Sequence, residues 1–260
     1  MLIFTHNKIR LKRHFEKDKV LFAYHLGDLD DFYFQDCQWA VDFNDTAKIH
    51  EAVLIYNAGD IPTVLAFGLT ELFERLIQQI VPILPVKFYA HFQNENRKFI
   101  LENYNETSLG TFHKMKLENF QKKHDDSDTK IRQLTLEDFD ILLDLYSRAY
   151  PENYFNKRML ETNRYYGYFE NDKLIAVSGI HVDSDEYNIS TLGNITTDLD
   201  YRGKGIATKV TSKLVEALQT NPEKTICLNV KADNQSAIAS YTKLGFVKVH
   251  EYQESMFKLK

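Results

Sequence analysis

NISTLGNITTDLDYRGKGIATKVTSKLVEAL, residues 188–218, is the stretch whose reading decides the fold. From Ile189 to Thr197 the residues are small, β-branched or apolar, which favours a strand, and Asp198 to Asp200 break that run. Arg202-Gly203-Lys204-Gly205 then lets the backbone bend sharply and approach a ligand without interference from Cβ atoms. Ile206 opens helical spacing, with Val210, Leu214 and Leu218 on one face. The pattern predicts a strand, a glycine turn and a helix whose first N–H groups converge. Their partial positive charge, helped by Arg202 and Lys204, suits a phosphate or diphosphate. A tight turn without a ligand is the plain alternative.

Spacing separates the phosphate-binding patterns. The G-x-x-x-x-G-K-[ST] form fails because Gly205, not a hydroxyl residue, follows Lys204. The dinucleotide fingerprint fails because Thr208 stands where a third Gly or Ala belongs, and Val230-Lys231 stand where an acid should end the next strand. Arg202-Gly203-Lys204-Gly205-Ile206-Ala207 instead resembles the R-G-x-G-[IL]-[AG] loop of GNAT acyltransferases. Downstream, 225–230 reads as a strand, and 233–236 offers N-cap chemistry for a helix that Gly245 ends. The run from Asn229 to Phe246, with Asn234, Ala237, Tyr241 and Gly245-Phe246, is similar to the second GNAT signature, L-x-V-x-x-x-N-x-x-A-x-x-x-Y-x-x-x-G-F. The resemblance covers 130–260, and the residues around His181-Val182 and Gly193 to Thr197 look most like the glycine N-acyltransferase-like branch. It implies an α/β fold, an α+β mixed sheet of GNAT acyl-CoA N-acyltransferase type.

The 260 residues, 43% apolar and free of low-complexity tracts, suffice for two modest domains. A formal net charge of −5 gives no general attraction to nucleic acid or to an anionic membrane. Cys37 and Cys227 fall in separate expected strands without motif spacing, so they read as buried thiols, and no metal is expected. MLIFTHNKIR turns polar too soon for a signal peptide, and the longest apolar run, IVPILPV, is short and holds two prolines. The expectation is a soluble, cytoplasmic protein, monomer or homodimer.

The N-terminal half, 1–128, begins with an expected charged-faced helix over 9–27, in which Arg13 and Lys17 alternate in sign with Glu16 and Asp18. Strands are expected at Cys37–Phe43, 51–57, 63–67, 86–91 and 111–117, with helices at 70–80 and 94–104. This order mirrors the second half. The equivalent of its glycine loop is Ala66-Phe67-Gly68-Leu69-Thr70, with one glycine and no basic residue. The half therefore reads as a degenerate GNAT-like copy that lacks the cofactor cradle, giving tandem domains; an unrelated α/β cap is the alternative.

Polar residues 121–129 set the boundary, and the GNAT domain is expected over 129–260. Residues 131–134 read as a strand, and Thr135 caps a helix holding Phe139, Leu142, Leu143 and Tyr146. A second helical segment is expected over 154–163, then a hairpin of 165–169 and 174–182 across Glu170-Asn171-Asp172-Lys173.

The resemblance implies acetyl-CoA as cofactor, its diphosphate on the backbone of Gly203, Lys204, Gly205, Ile206 and Ala207. Ile195, Thr196 and Thr197 would meet the pantetheine amides, beside a gap facing 228–230. Asn234 matches the family residue that contacts the pantetheine or phosphate arm, and capping the next helix is equally compatible with it. Tyr241 matches the tyrosine that protonates the departing thiolate; at three and four residues from Ile238 and Ala237 its ring also fits an ordinary core position. Many members carry a Glu on the strand before the loop, whereas this chain has no carboxylate until Asp198. Ordered water, His181 or Asp198 is left as base, and His181 ranks first because its ordinary pKa suits neutral pH.

The reading is an acyl-CoA-dependent N-acyltransferase that moves acetyl from acetyl-CoA to a primary amine, a small molecule or amino acid, by direct attack. The alternative is a catalytically silent CoA-binding tandem module. A nucleotide-binding oxidoreductase is the third reading.

Overall fold

The computed structural model describes residues 2–43, 48–127 and 129–260. They form two compact units: Met1–Lys114 with Lys231–Asp233 and Val249–Lys260, and Met115–Val230 with Asn234–Lys248. The expected cut at 128/129 does not coincide with these units, and residue 128 lies outside the described residues. Two 14-residue strands, β6 and β12 below, each contribute residues to both units, so no single linker divides them.

In the first unit the order is β1 (Leu2–Thr5), α1 (Lys8–Phe15), α2 (Ala23–Gly27), α3 (Asp31–Phe34), β2 (Cys37–Phe43), β3 (Ile49–Tyr56), β4 (Thr63–Ala66), α4 (Glu71–Ile80), β5 (Lys87–Phe92), α5 (Arg97–Leu101) and β6 (Tyr104–Leu117). β1 to β4 pair antiparallel in sequence, and β4 pairs parallel with β5 after the α4 connection. On α4, Phe73, Leu76, Ile77 and Ile80 sit at helical spacing and are buried in one core with Ala40, Val53, Val64, Phe88 and Phe92. Each such side chain stabilises the unit by about 1.5–3 kcal/mol.

The single helix expected over 9–27 is broken. The Asp18 carboxylate accepts from the N–H groups of Val20 and Leu21 at 3.1 and 2.9 Å, a local bond that competes with helix continuation. The expected helix 94–104 shortens to a 3₁₀ turn and α5, because Tyr104 starts β6 and buries its hydroxyl against the Leu84 carbonyl at 3.0 Å. β1 was not expected from its four residues.

The second unit continues with β7 (Ile131–Gln133), α6 (Phe139–Ala149), β8 (Tyr166–Glu170), β9 (Lys173–Ser184), β10 (Ile189–Thr197), α7 (Ile206–Leu218), β11 (Thr225–Lys231), α8 (Gln235–Leu244) and β12 (Phe246–Leu259). β7 to β10 are antiparallel neighbours, and β10 runs parallel to β11. The β8–β9 turn places Asn171 and Asp172 at φ +48° and +62°, the paired left-handed residues of a two-residue hairpin. Leu142, Leu145 and Tyr146 of α6 and Leu214, Val215 and Leu218 of α7 share a core with Val177, Ile180, Leu192, Ile226 and Leu228. Leu143, on the same helix, is 42% exposed. The segment 154–163 is helical only as a 3₁₀ turn, Lys157–Thr162, ended by Asn163 at φ +57°. Residues Gln253–Lys258 of β12 pair antiparallel with β5, within the first unit.

Candidate functional site

β10 and β11 pair only from Ile189 opposite Thr225 to Leu192 opposite Leu228, yet β10 runs on to Thr197 and β11 to Lys231. A parallel pair that stops partway leaves main-chain donors and acceptors facing a gap. The parting coincides with a bulge. Between Gly193 opposite Gly179 and Thr196 opposite Val177, two β10 residues, Asn194 and Ile195, face the single Ser178. Asn194 takes φ +54° there. The Thr197 hydroxyl is buried without a protein partner at the far end of the same strand.

Beyond Thr197 the chain turns on Asp198, whose carboxylate accepts from the Asp200 N–H at 3.2 Å. Gly203 and Gly205 stand at φ +77° and +75°, and a Cβ on either would meet nothing within 4 Å, so the space beside the loop is open. Gly205 caps α7 without a side chain, and the first turn of α7 holds no acidic residue. The N–H groups of Ile206, Ala207 and Thr208 precede the bond from Lys209 N–H to Gly205 carbonyl, 3.1 Å. The basic side chains take other places. Arg202 donates to the carbonyls of Thr197 and Ala149 at 3.1 and 2.9 Å, and Lys204 donates to the Asp200 carbonyl at 3.2 Å while lying 4.8 Å from the Tyr201 ring centroid. Any anion affinity of the loop therefore rests chiefly on backbone N–H groups. Asn234 caps α8 by accepting from the Ala237 N–H at 3.1 Å and is exposed.

Tyr241 on α8 is 9% exposed and belongs to one apolar cluster with Leu228 and Val230 of β11, against which Ile195 of β10 packs. Burial, with the neighbouring Tyr150 phenol, pushes its pKa above the ordinary tyrosine value, so it keeps its proton across the neutral range. His181 on β9 lies over Gly193, where an added Cβ would come within 2.0 Å of its ring. Burial lowers its pKa to about 4, so the imidazole is neutral at pH 7. Asp198 is held by Arg148 and by Lys173, the latter at 3.0 Å, and these bonds lower its pKa to about 2. Ranking His181 by its ordinary pKa thus overstated its basicity, and Asp198 is already committed to two cations.

Sequence reasoning missed a ring of tyrosines around the bulge. Tyr146 donates to the Asn194 carbonyl at 2.7 Å, and the Tyr154 ring centroid lies 6.4 Å from that of His181. The available signal was Gly193-Asn194 inside an apolar strand, a pair prone to left-handed backbone and bulges. An open cavity of about 520 Å³ lined by Thr135, Leu136, Glu137, Leu160, Glu161 and Asn163 contains none of these residues.

Elsewhere in the second unit, Ser212, His124 and Glu216 line up like a nucleophilic relay, with contacts of 2.9 and 3.0 Å. Ser212 is fully buried and also accepts from the Lys123 N–H at 2.8 Å, so its hydroxyl reaches no substrate. His124, Asp126 and Glu216 converge as metal ligands might, but Lys122 and Lys213 neutralise the carboxylates at 2.6–2.8 Å. Both cysteines are free and buried, and burial raises the Cys37 thiol pKa. Among the described residues no helix is long and apolar enough to cross a membrane.

Residues 129–246 match the family model described as Acetyltransferase (GNAT) family. The [ribosomal protein bS18]-alanine N-acetyltransferase of Escherichia coli K12 is 36% identical over 77 residues, covering 30% of this chain and 50% of the relative. An uncharacterized N-acetyltransferase of Methanocaldococcus jannaschii is 28% identical, covering 45% of this chain and 59% of the relative. The chain thus spans about half the length of these curated relatives. In fold, it superposes on a Drosophila protein with TM-score 0.74 at 13% identity, over 99% of this chain and 98% of that one. It also superposes on a tandem GNAT protein from the clavulanic acid biosynthesis pathway with TM-score 0.61 at 12% identity, over 98% of each. In sequence and in fold alike, residues 129–246 are similar to the GNAT acetyltransferases.

Proposed function

We propose that this protein is an N-acetyltransferase that binds acetyl-CoA through its second unit and transfers the acetyl group to a primary amine by direct attack. One observation carries the reading: β10 and β11 separate after Leu192 and Leu228, the glycine loop and α7 N-terminus follow β10, and Tyr241 shares an apolar cluster with both strands. The residues suit the cofactor, since Gly203 and Gly205 hold the loop at positive φ with open space beside it and the Thr197 hydroxyl is buried without a protein partner. Gly203 to Ala207 would hold the diphosphate, and Ile195 to Thr197 the pantetheine amides. Asn234 can contact the same arm through its amide nitrogen while its oxygen caps α8. Arg202 would support the loop from beneath.

Acetyl-CoA supplies an activated thioester. The amine nitrogen forms the new N–C bond as C–S breaks, and Tyr241, protonated at neutral pH, gives its proton to the departing sulfur. With His181 at about 4 and Asp198 at about 2, neither candidate is a strong base at neutral pH, and the amine is read as arriving neutral. At pH 7 an α-amine, with pKa about 7.7–8.0, is free several hundredfold more often than a lysine at about 10.4. We therefore favour the α-amine of a peptide or protein N-terminus over a lysine; the E. coli relative is named for acetylation of an alanine on a ribosomal protein. The amine's spare proton leaves to water, with His181 as a neutral acceptor on the path.

We also read the first unit as a degenerate copy of the same fold, supported by the shared order of strands and helices and the parallel β4–β5 pair. The test is thiol release from acetyl-CoA across an amine panel. Tyr241→Phe should lower kcat by about 10²–10⁴-fold with coenzyme A affinity kept. Unchanged kcat would remove Tyr241 from the reaction, and coenzyme A binding without release by the parent protein would favour the silent binding module.

A further inference from the structure

We infer that Asn194 is a positioning residue whose amide latches the loop 150–156 to the β10 bulge and so holds the acceptor side of the cleft; this rests on the acyl-transfer reading above. The Asn194 amide nitrogen donates to the Tyr154 carbonyl at 2.8 Å and to the Tyr165 hydroxyl at 2.9 Å. A carbonyl only accepts, so its contact fixes which end of the amide faces the loop. The Tyr165 hydroxyl donates to the Ile180 carbonyl at 2.8 Å, and the Asn194 main-chain carbonyl accepts from the Tyr146 hydroxyl at 2.7 Å. One residue, 3% exposed, thereby joins α6, the loop, the start of β8, and β9 at the point where β10 leaves β11.

Two requirements meet at this position. The backbone lies at φ +54°, a region open to Gly and, among residues with side chains, most readily to Asn and Asp. The contacts demand a donor, which Asp lacks and Gly does not carry. The loop so held carries Tyr154, whose ring lies beside His181, and Tyr150, the phenol that acts on the Tyr241 pKa. Releasing the latch should therefore disturb where the amine sits while leaving the glycine loop intact.

Asn194→Gly keeps the backbone conformation and deletes the amide, whereas Asn194→Asp keeps the shape and sets a carboxylate against the Tyr154 carbonyl. In both, amide hydrogen exchange of 150–156 should accelerate about tenfold or more, and the acceptor KM should rise about tenfold, with coenzyme A affinity within about threefold of the parent. If either variant fails to fold, Tyr165→Phe, which removes one partner of the amide together with the bond to the Ile180 carbonyl and keeps Asn194 itself, is expected to shift exchange and KM the same way. Unchanged exchange and KM in Asn194→Gly would overturn the latch, as would an equal loss of coenzyme A affinity, which would make the residue a support of the bulge alone. If the parent acetylated no amine, the acyl-transfer reading would fall, while the exchange measurement would still decide the latch.

Discussion

The two units place a strand, a loop and a helix in the same order before a parallel strand, and they finish the junction differently. In the first unit β4 stays paired with β5 to its last residue, Ala66 opposite Phe92. The following helix is closed by its own sequence. The Thr70 hydroxyl accepts from the Phe73 N–H at 3.1 Å and donates to the Glu51 carboxylate at 2.7 Å, and Glu71 and Glu74 occupy the first turn. A Cβ on Gly68 would come within 2.3 Å of the Phe73 ring, so that glycine serves packing. In the second unit β10 leaves β11 early, the cap is glycine, and no acid follows. The same connection yields a closed helix end or an open one, which we propose as the anion cradle, according to a few local residues.

Moving the closed chemistry of α4 onto α7 should close that helix end too. Ala207→Glu places a carboxylate in the first turn of α7, as in α4, and should weaken coenzyme A binding by roughly 100-fold or more in calorimetry. The parent should bind one coenzyme A per chain; two would mean that the α4 junction also serves as a cradle.

Buried histidines offer a smaller effect. Burial lowers His14 to about 4 and His25 well below 6.5 in the first unit, and His181 to about 4 in the second. Between the unfolded pKa near 6.5 and these folded values the unfolded chain binds more protons, so each group costs stability as pH falls through that window. Glu254, raised by burial to about 7, acts in the opposite sense from pH 7 downward. Replacing His14 with Gln should therefore recover on the order of 2 kcal/mol of the acid-induced loss by pH 5, relative to pH 7, in urea unfolding. An identical pH slope in parent and variant would show that His14 is not desolvated.

The smallest effect separates two roles of Asn234. Asn234→Asp preserves an N-cap oxygen but adds negative charge, so thermal stability should hold while coenzyme A binds about tenfold more weakly. Unchanged affinity would leave Asn234 as a cap only.

Local signals were legible in the sequence. The β-branched and apolar run of Ile189–Thr197, the apolar spacing from Ile206, and the Asn234 and Gly245 caps placed elements to within a residue or so, because neighbouring residues alone decide them. The glycine loop was legible for the same reason. The Asn194 latch was not, since its partners lie 29 to 48 residues away. Arg202 was expected to face a ligand and instead braces carbonyls, a choice set by where the α6 end packs. The break after Phe15 turned on one Asp18 carboxylate competing with the helix.

The pairing of β12 with β5 also bears on how the chain is made. Lys258 is joined to the ribosome's product 166 residues after Phe92, so the outer row of β5 backbone groups stays without its partner strand while everything between is synthesised. At about 5–20 residues per second that wait lasts roughly 8–33 s. Through that interval the nascent first unit presents a bare β edge, a surface on which chaperones, or a neighbouring nascent chain, can settle before the native strand arrives.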